Sequence, residues 1–136
     1  MQSPTTSAPA VLVIDDDPAL LRSFASVLAA HGIPITTVRN GHDGLAVFRW
    51  APPAVVLTDI IIMPEQDGIS TIMAMRRECP ATKIIAMSGG GSIAKSEFLT
   101  VAKKLGADAV VHKPVDVDDL VKLLRTFLRA SDSRAA

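Results

Sequence analysis

Cysteine occurs once in the chain, at Cys79, so no disulfide can close within it. Neither sign of charge is in excess, since 14 lysines and arginines are matched by 14 aspartates and glutamates. The basic footprint that tracks a phosphate backbone is therefore missing, and no nucleic-acid partner is expected. No apolar run approaches the ~18 residues of a membrane span, so no membrane partner is expected either. The opening "MQSPTTSAPA" is polar, rich in Pro, Ser and Thr, and lacks the apolar core of a secretory signal. Together with the cysteine usage, this points to the cytoplasm.

What is present fits one domain. The 136 residues are nearly half apolar, enough to bury well over half the surface of the unfolded chain. Residues 1–9 are expected to be a disordered leader, 10–130 the domain, and 131–136 a frayed tail. Five short runs, at residues 10–14, 33–38, 54–58, 83–87 and 109–112, are mostly apolar and β-branched, as strands covered on both faces are. The segments between them have helical spacing. Leu20, Leu21, Phe24, Val27 and Leu28 share one side of a helix, and Leu120, Val121, Leu124, Phe127 and Leu128 share one side of another. Asp17 with Pro18 reads as a helix start, as does Asp67, and His31-Gly32 reads as a stop.

Strict alternation of strand and helix argues for a parallel sheet with helices on both faces. In such sheets chemistry gathers outside the carboxyl ends of the strands. The first strand ends in Asp15-Asp16-Asp17, the third in Asp59, the fourth in Ser88-Gly89 and the fifth in Lys113-Pro114. Only the second tip lacks an obvious reactive group. Two or three carboxylates at one edge repel unless a cation joins them, and a hard divalent ion such as Mg²⁺ suits oxygen ligands. Cations around shared oxygens are what phosphoryl transfer needs, and a carboxylate can itself be the nucleophile. On this reading Asp59 takes a phosphoryl group, Asp15 and Asp16 hold Mg²⁺, and Ser88 and Lys113 grip the phosphoryl oxygens.

The segments "VLVIDDDPALL", "VVLTD", "MPEQDG", "IIAMSGG" and "GADAVVHKP", in that order, resemble a response-regulator receiver domain from about residue 10 to 130. The resemblance implies a flavodoxin-like, doubly wound five-stranded parallel sheet of order 2-1-3-4-5, flanked by five helices. It implies a bacterial phosphoprotein of a two-component phosphorelay. Such a protein accepts phosphate from a sensor histidine kinase or histidine phosphotransfer protein and signals to an output partner the sequence does not name. It is not an enzyme beyond its own phosphorylation and dephosphorylation. Asp15 and Asp16 match the acidic pair, Asp59 the phosphoacceptor, Ser88 the switch hydroxyl, and Lys113 the lysine before a proline, Pro114, whose peptide bond is usually cis in the family. With no output domain in the sequence, a stand-alone regulator acting through protein contacts is expected.

Three departures stand out. Family members place a proline four residues after the phosphoacceptor, whereas Pro64 follows Asp59 by five. The family's backbone metal ligand falls on Ile61, and the extra residue puts that ligand in question. The aromatic switch position is Val110, and the chain has no tyrosine. Lastly, "SGGGSIAKSEF" makes the connection after the fourth strand long and glycine-rich.

Other readings stay open beside this one. A receiver-like module that no longer takes phosphate fits the extra isoleucine. A haloacid-dehalogenase-type phosphatase would use Asp15 and Asp17, but places Ala19 where Thr or Val belongs and leaves Asp59 idle. A nucleotide-binding P-loop would span residues 89–96, with Ala94 where a glycine is required. Singly, Asp15 and Asp16 also read as caps or solvated acids, Asp59 and Lys113 as turn residues, and Ser88 as a loop serine. Asp17 reads as a cap only and Asp67 as structural. His31, His42 and His112 have no ligand spacing, Cys79 reads as an idle thiol, and Met63, Met73, Met75 and Met87 read as packing. Trp50 reads as a packing anchor at its helix edge.

Overall fold

The structure is a computed structural model describing residues 10–59, 67–88, 100, 103–104 and 106–135. Along the chain run β1 (Val11–Ile14), α1 (Pro18–Ala30), β2 (Ile35–Val38), α2 (Gly41–Trp50), β3 (Val55–Asp59), α3 (Asp67–Glu78), β4 (Lys83–Ser88), β5 (Ala109–His112) and α4 (Val117–Ala135). The strands form one five-stranded sheet of order β2-β1-β3-β4-β5, and every pairing is parallel. This is the doubly wound, flavodoxin-like sheet that the resemblance implies.

The sheet separates two apolar layers. On one face Val11, Val13, Val55, Leu57, Ile85 and Met87 pack with Leu21, Phe24 and Leu28 of α1 and Leu120, Val121 and Leu124 of α4. On the other, Leu12, Ile14, Val56, Ile84 and Ala86 pack with Phe48 of α2 and Ile72 and Met75 of α3. Every residue of β1 is fully buried, which is why this strand reads as an unbroken apolar run rather than an alternating one. Burying each such side chain contributes about 1.5–3 kcal/mol.

Helix ends follow their local signals. The Asp17 carboxylate accepts from the Ala19 N–H at 3.0 Å and Pro18 occupies the first turn, so α1 starts where the sequence places it. Its end is also as read: Gly32 takes φ +77°, and the His31 ring Nδ1 lies 3.0 Å from the Val27 carbonyl oxygen. Asn40 caps α2 by accepting from the Asp43 N–H at 2.7 Å.

Differences from the sequence reading are local. The second strand begins at Ile35 rather than at 33, because Pro34 has no N–H for the ladder. β3 and β4 each run one residue further than expected, so Asp59 and Ser88 are the last residues of their strands. Four helices are defined among the described residues. The fifth was expected between β4 and β5, where only residues 100, 103 and 104 are described as helical. α4 continues to Ala135, beyond the expected domain end at Ala130. The leader, residues 1–9, lies outside the described residues, as do Ile61, Met63, Pro64 and the glycine-rich run at 89–96.

Candidate functional site

Parallel pairing aligns the strand ends. Ile14 pairs with Thr58, Asp59 with Met87, and Ser88 with His112, so residues far apart in sequence reach one edge of the sheet. Lys113, just past β5, is held there by its own N–H, which donates to the Ser88 carbonyl at 2.8 Å. The Lys113–Pro114 peptide is cis.

The lysine ammonium is the centre of the site. Its Nζ donates to Asp15 Oδ2 at 2.7 Å and to Asp59 Oδ2 at 3.0 Å. Asp15 is fully buried and Asp59 only 8% exposed, so the contacts form largely out of water. Burial alone would lower the Lys113 pKa, but the hydrogen bonds that its ammonium donates to Asp15 and Asp59, and the charges of those carboxylates, outweigh it and raise the value. The second Asp15 oxygen accepts from the Asp17 N–H at 2.9 Å, which ties the acid to the start of α1.

Asp16 completes the cluster. One carboxylate oxygen each from Asp15, Asp16 and Asp59 lie within 4.8 Å of one another. Three carboxylates thus face one ammonium, and three oxygen donors at this spacing fit a hard divalent cation. Ser88, nearly buried, stands at the end of the neighbouring strand.

The structure therefore brings Asp15, Asp16, Asp59, Ser88 and Lys113 to one sheet edge. Asp17 is engaged elsewhere, its carboxylate capping α1, which removes the acid that the phosphatase reading requires. Ile61 and the P-loop-like run fall outside the described residues. Val110, in the place of the switch aromatic, is half-buried against the layer formed by Leu12, Ile14 and Ile84.

Two expectations need correction. Trp50 is 77% exposed and anchors no packing. Phe48 holds the buried position at the end of α2, and a residue two places on lies about 200° round the helix, facing outward. Met73 is likewise 47% exposed, whereas Met75 and Met87 are fully buried as read. One residue was passed over. The second strand tip, which looked empty of chemistry, leads directly into Arg39, exposed at the same edge.

Comparison with known proteins agrees with this arrangement. The family model described as response regulator receiver domain matches residues 11–125. The probable transcriptional regulatory protein TcrX of Mycobacterium tuberculosis is 29% identical over 119 residues, covering 88% of this chain and 49% of that protein. The acid tolerance regulatory protein ActR of Rhizobium meliloti is 32% identical over 114 residues, covering 84% and 57%. The chain thus spans about half the length of these curated relatives. Among solved structures, a CheY-like receiver domain protein from Methanospirillum hungatei superimposes with a TM-score of 0.80 at 27% identity, covering 91% of this chain and 96% of that one. The receiver domain of a Francisella response regulator gives 0.79 at 26% identity, covering 90% and 98%. The chain belongs to the response-regulator receiver domain family.

Proposed function

We propose that this protein is a phosphoacceptor switch of a two-component phosphorelay, with Asp59 as the residue that takes the phosphoryl group from a phosphohistidine of a sensor kinase or phosphotransfer protein. One Asp59 carboxylate oxygen forms the new P–O bond as the donor's P–N bond breaks, and the imidazole leaves. Asp15, Asp16 and Asp59 would hold Mg²⁺, which supplies counter-charge to the phosphoryl oxygens. Lys113, already within hydrogen-bond reach of Asp59, offers its ammonium to a phosphoryl oxygen, and Ser88 offers its hydroxyl from the next strand. Water later removes the group. Output passes through contact with another protein, and the expected compartment is the cytoplasm.

The observation that carries this reading is the Lys113 ammonium bridging Asp15 at 2.7 Å and Asp59 at 3.0 Å across three strand ends. A turn aspartate or an exposed turn lysine has no reason to be drawn into such a contact. The phosphatase alternative leaves Asp59 without a task, although it is buried at the centre of the cluster.

Incubation with acetyl phosphate and Mg²⁺ is expected to give a hydroxylamine-labile adduct on the intact protein, absent in Asp59→Asn. A wild type that stays unmodified would establish the non-phosphorylated module instead. Steady turnover of phosphate esters that depends on Asp15 rather than Asp59 would establish the phosphatase.

A further inference from the structure

A groove of about 320 Å³ runs between α1 and β2, lined by Pro18, Leu21, Arg22, Ala25, Thr37 and Arg39. Its floor is apolar, with Leu21 buried and Ala25 half-buried, while Arg22, Thr37 and Arg39 at its walls are exposed. The four α1 residues fall at helical spacing on one stripe, and Thr37 and Arg39 share one face of the β2 track. Neither arginine makes an ion pair or hydrogen bond to any described residue.

The acids that flank the groove in sequence, Asp17 before α1 and Asp43 in α2, are both engaged at helix starts. α1 contains no Asp or Glu, and the positions three and four away from Arg22 are Ala19, Ala25, Pro18 and Ser26. After Arg39 the next acid is Asp43, which is engaged with Asn40. In a chain of zero formal net charge, two unpaired arginines on one groove form a local positive patch. β2 is also a terminal strand of the described sheet, so the groove opens at an edge. It abuts the carboxylate site, because the Asp15 N–H donates to the Val38 carbonyl, one residue before Arg39.

We propose that this groove seats an acidic segment of a partner protein, with Arg22 and Arg39 holding its carboxylates and Leu21 and Ala25 receiving a small apolar side chain between them. Charge complementarity selects the occupant. A nucleic-acid strand is disfavoured because the neighbouring carboxylates Asp15, Asp16 and Asp59 repel a continuous polyanion, whereas a short acidic segment can end at the groove. The pairing is electrostatic and exposed, so it sets encounter rate and specificity and weakens with salt.

The test is a titration of the ¹⁵N-labelled full chain with an end-blocked Glu-Val-Glu-Val-Glu peptide, without phosphodonor. Saturable shifts are expected in the amides of Leu21, Arg22, Ala25, Thr37 and Arg39 and in both arginine side chains. The double variant Arg22→Glu/Arg39→Glu is expected to raise Kd by about tenfold or more, as loss of close charge pairs does. Arg129→Glu, exposed on α4, serves as the charge control and is expected to leave binding unchanged. Absence of saturable shifts, equal loss in the Arg129 variant, or the same shifts from inorganic phosphate or oligothymidylate at equal concentration overturns the proposal. Asp59→Asn is expected to bind the peptide as wild type does, so failure here leaves the phosphoacceptor reading standing.

Discussion

At the scale of single residues, Lys113 carries the most consequence. Its ammonium neutralises two carboxylates that are almost wholly out of water, and its side chain is itself only 20% exposed. A buried ion pair adds little net stability when formed, but removing one partner strands the other. Lys113→Met is therefore expected to destabilise the protein by about 3 kcal/mol at neutral pH, read by urea unfolding in magnesium-free buffer. The pH dependence has a definite sign. The folded-state pKa of Lys113 lies above its unfolded value, so its contribution is fully present below about 10.4 and is lost as pH rises through the folded value. The chain has no tyrosine to titrate in that range. An alkaline loss of stability in wild type that is missing in Lys113→Met is the expected result, and identical alkaline limbs in the two proteins would contradict it.

At the scale of elements, close approach decides what the helices tolerate. A Cβ added at Gly44 would meet Ile14 Cδ1 at 2.5 Å and Cγ1 at 3.1 Å, so the glycine lets α2 settle against β1. Alanine would gain roughly 1 kcal/mol of helix propensity. It would also force a fully buried isoleucine to move, at a cost of about 1–3 kcal/mol. Gly44→Ala is thus expected to be net destabilising by about 1 kcal/mol in wild type but close to neutral or stabilising in an Ile14→Val background, where the nearest atom is gone. Strictly additive effects in a double-mutant cycle would show that the contact relaxes freely. At the opposite end of the sheet, Arg76 of α3 donates to the Gly106 carbonyl at 3.0 Å and the Pro80 carbonyl at 2.8 Å, and pairs with Asp108. Asp108 also accepts from the Ile84 N–H at 2.8 Å. α3 is thereby clamped to the starts of β4 and β5, well away from the carboxylates. That end reads as scaffold.

At the scale of the whole molecule, the sheet and the carboxylate site were legible for one shared reason. Strands buried on both faces appear as short apolar runs, and parallel pairing then carries the residues that end those runs to one edge. Asp15, Asp59, Ser88 and Lys113 could be gathered without any coordinates. What stayed hidden depends on rotation about an axis or on neighbours brought from different elements. Trp50 reads in the sequence as a packing anchor at its helix edge, but helical phase gives the buried place to Phe48. Arg22 and Arg39 lie 17 positions apart with no motif to link them, and only the fold sets α1 beside β2 and brings them to one groove. The same gathering makes stability depend on a cation. Folding forces the carboxylates of Asp15, Asp16 and Asp59 together, with one oxygen from each within 4.8 Å of the others, and the unfolded chain has no such cluster. A divalent ion that binds only the folded state stabilises by mass action, about 2.7 kcal/mol at a concentration one hundred times Kd. For a domain of this size that corresponds to a rise in unfolding midpoint of roughly 10 °C. Magnesium chloride is expected to produce such a rise and sodium chloride of matched ionic strength is not, because screening acts on exposed charges and this cluster is mostly buried. Asp16→Asn removes one donor at the rim of the cluster while leaving the Lys113 contacts in place, and most of the magnesium effect should disappear with it. An undiminished response in that variant would mean that the ion sits elsewhere, and that Lys113 alone balances the acids brought to this edge.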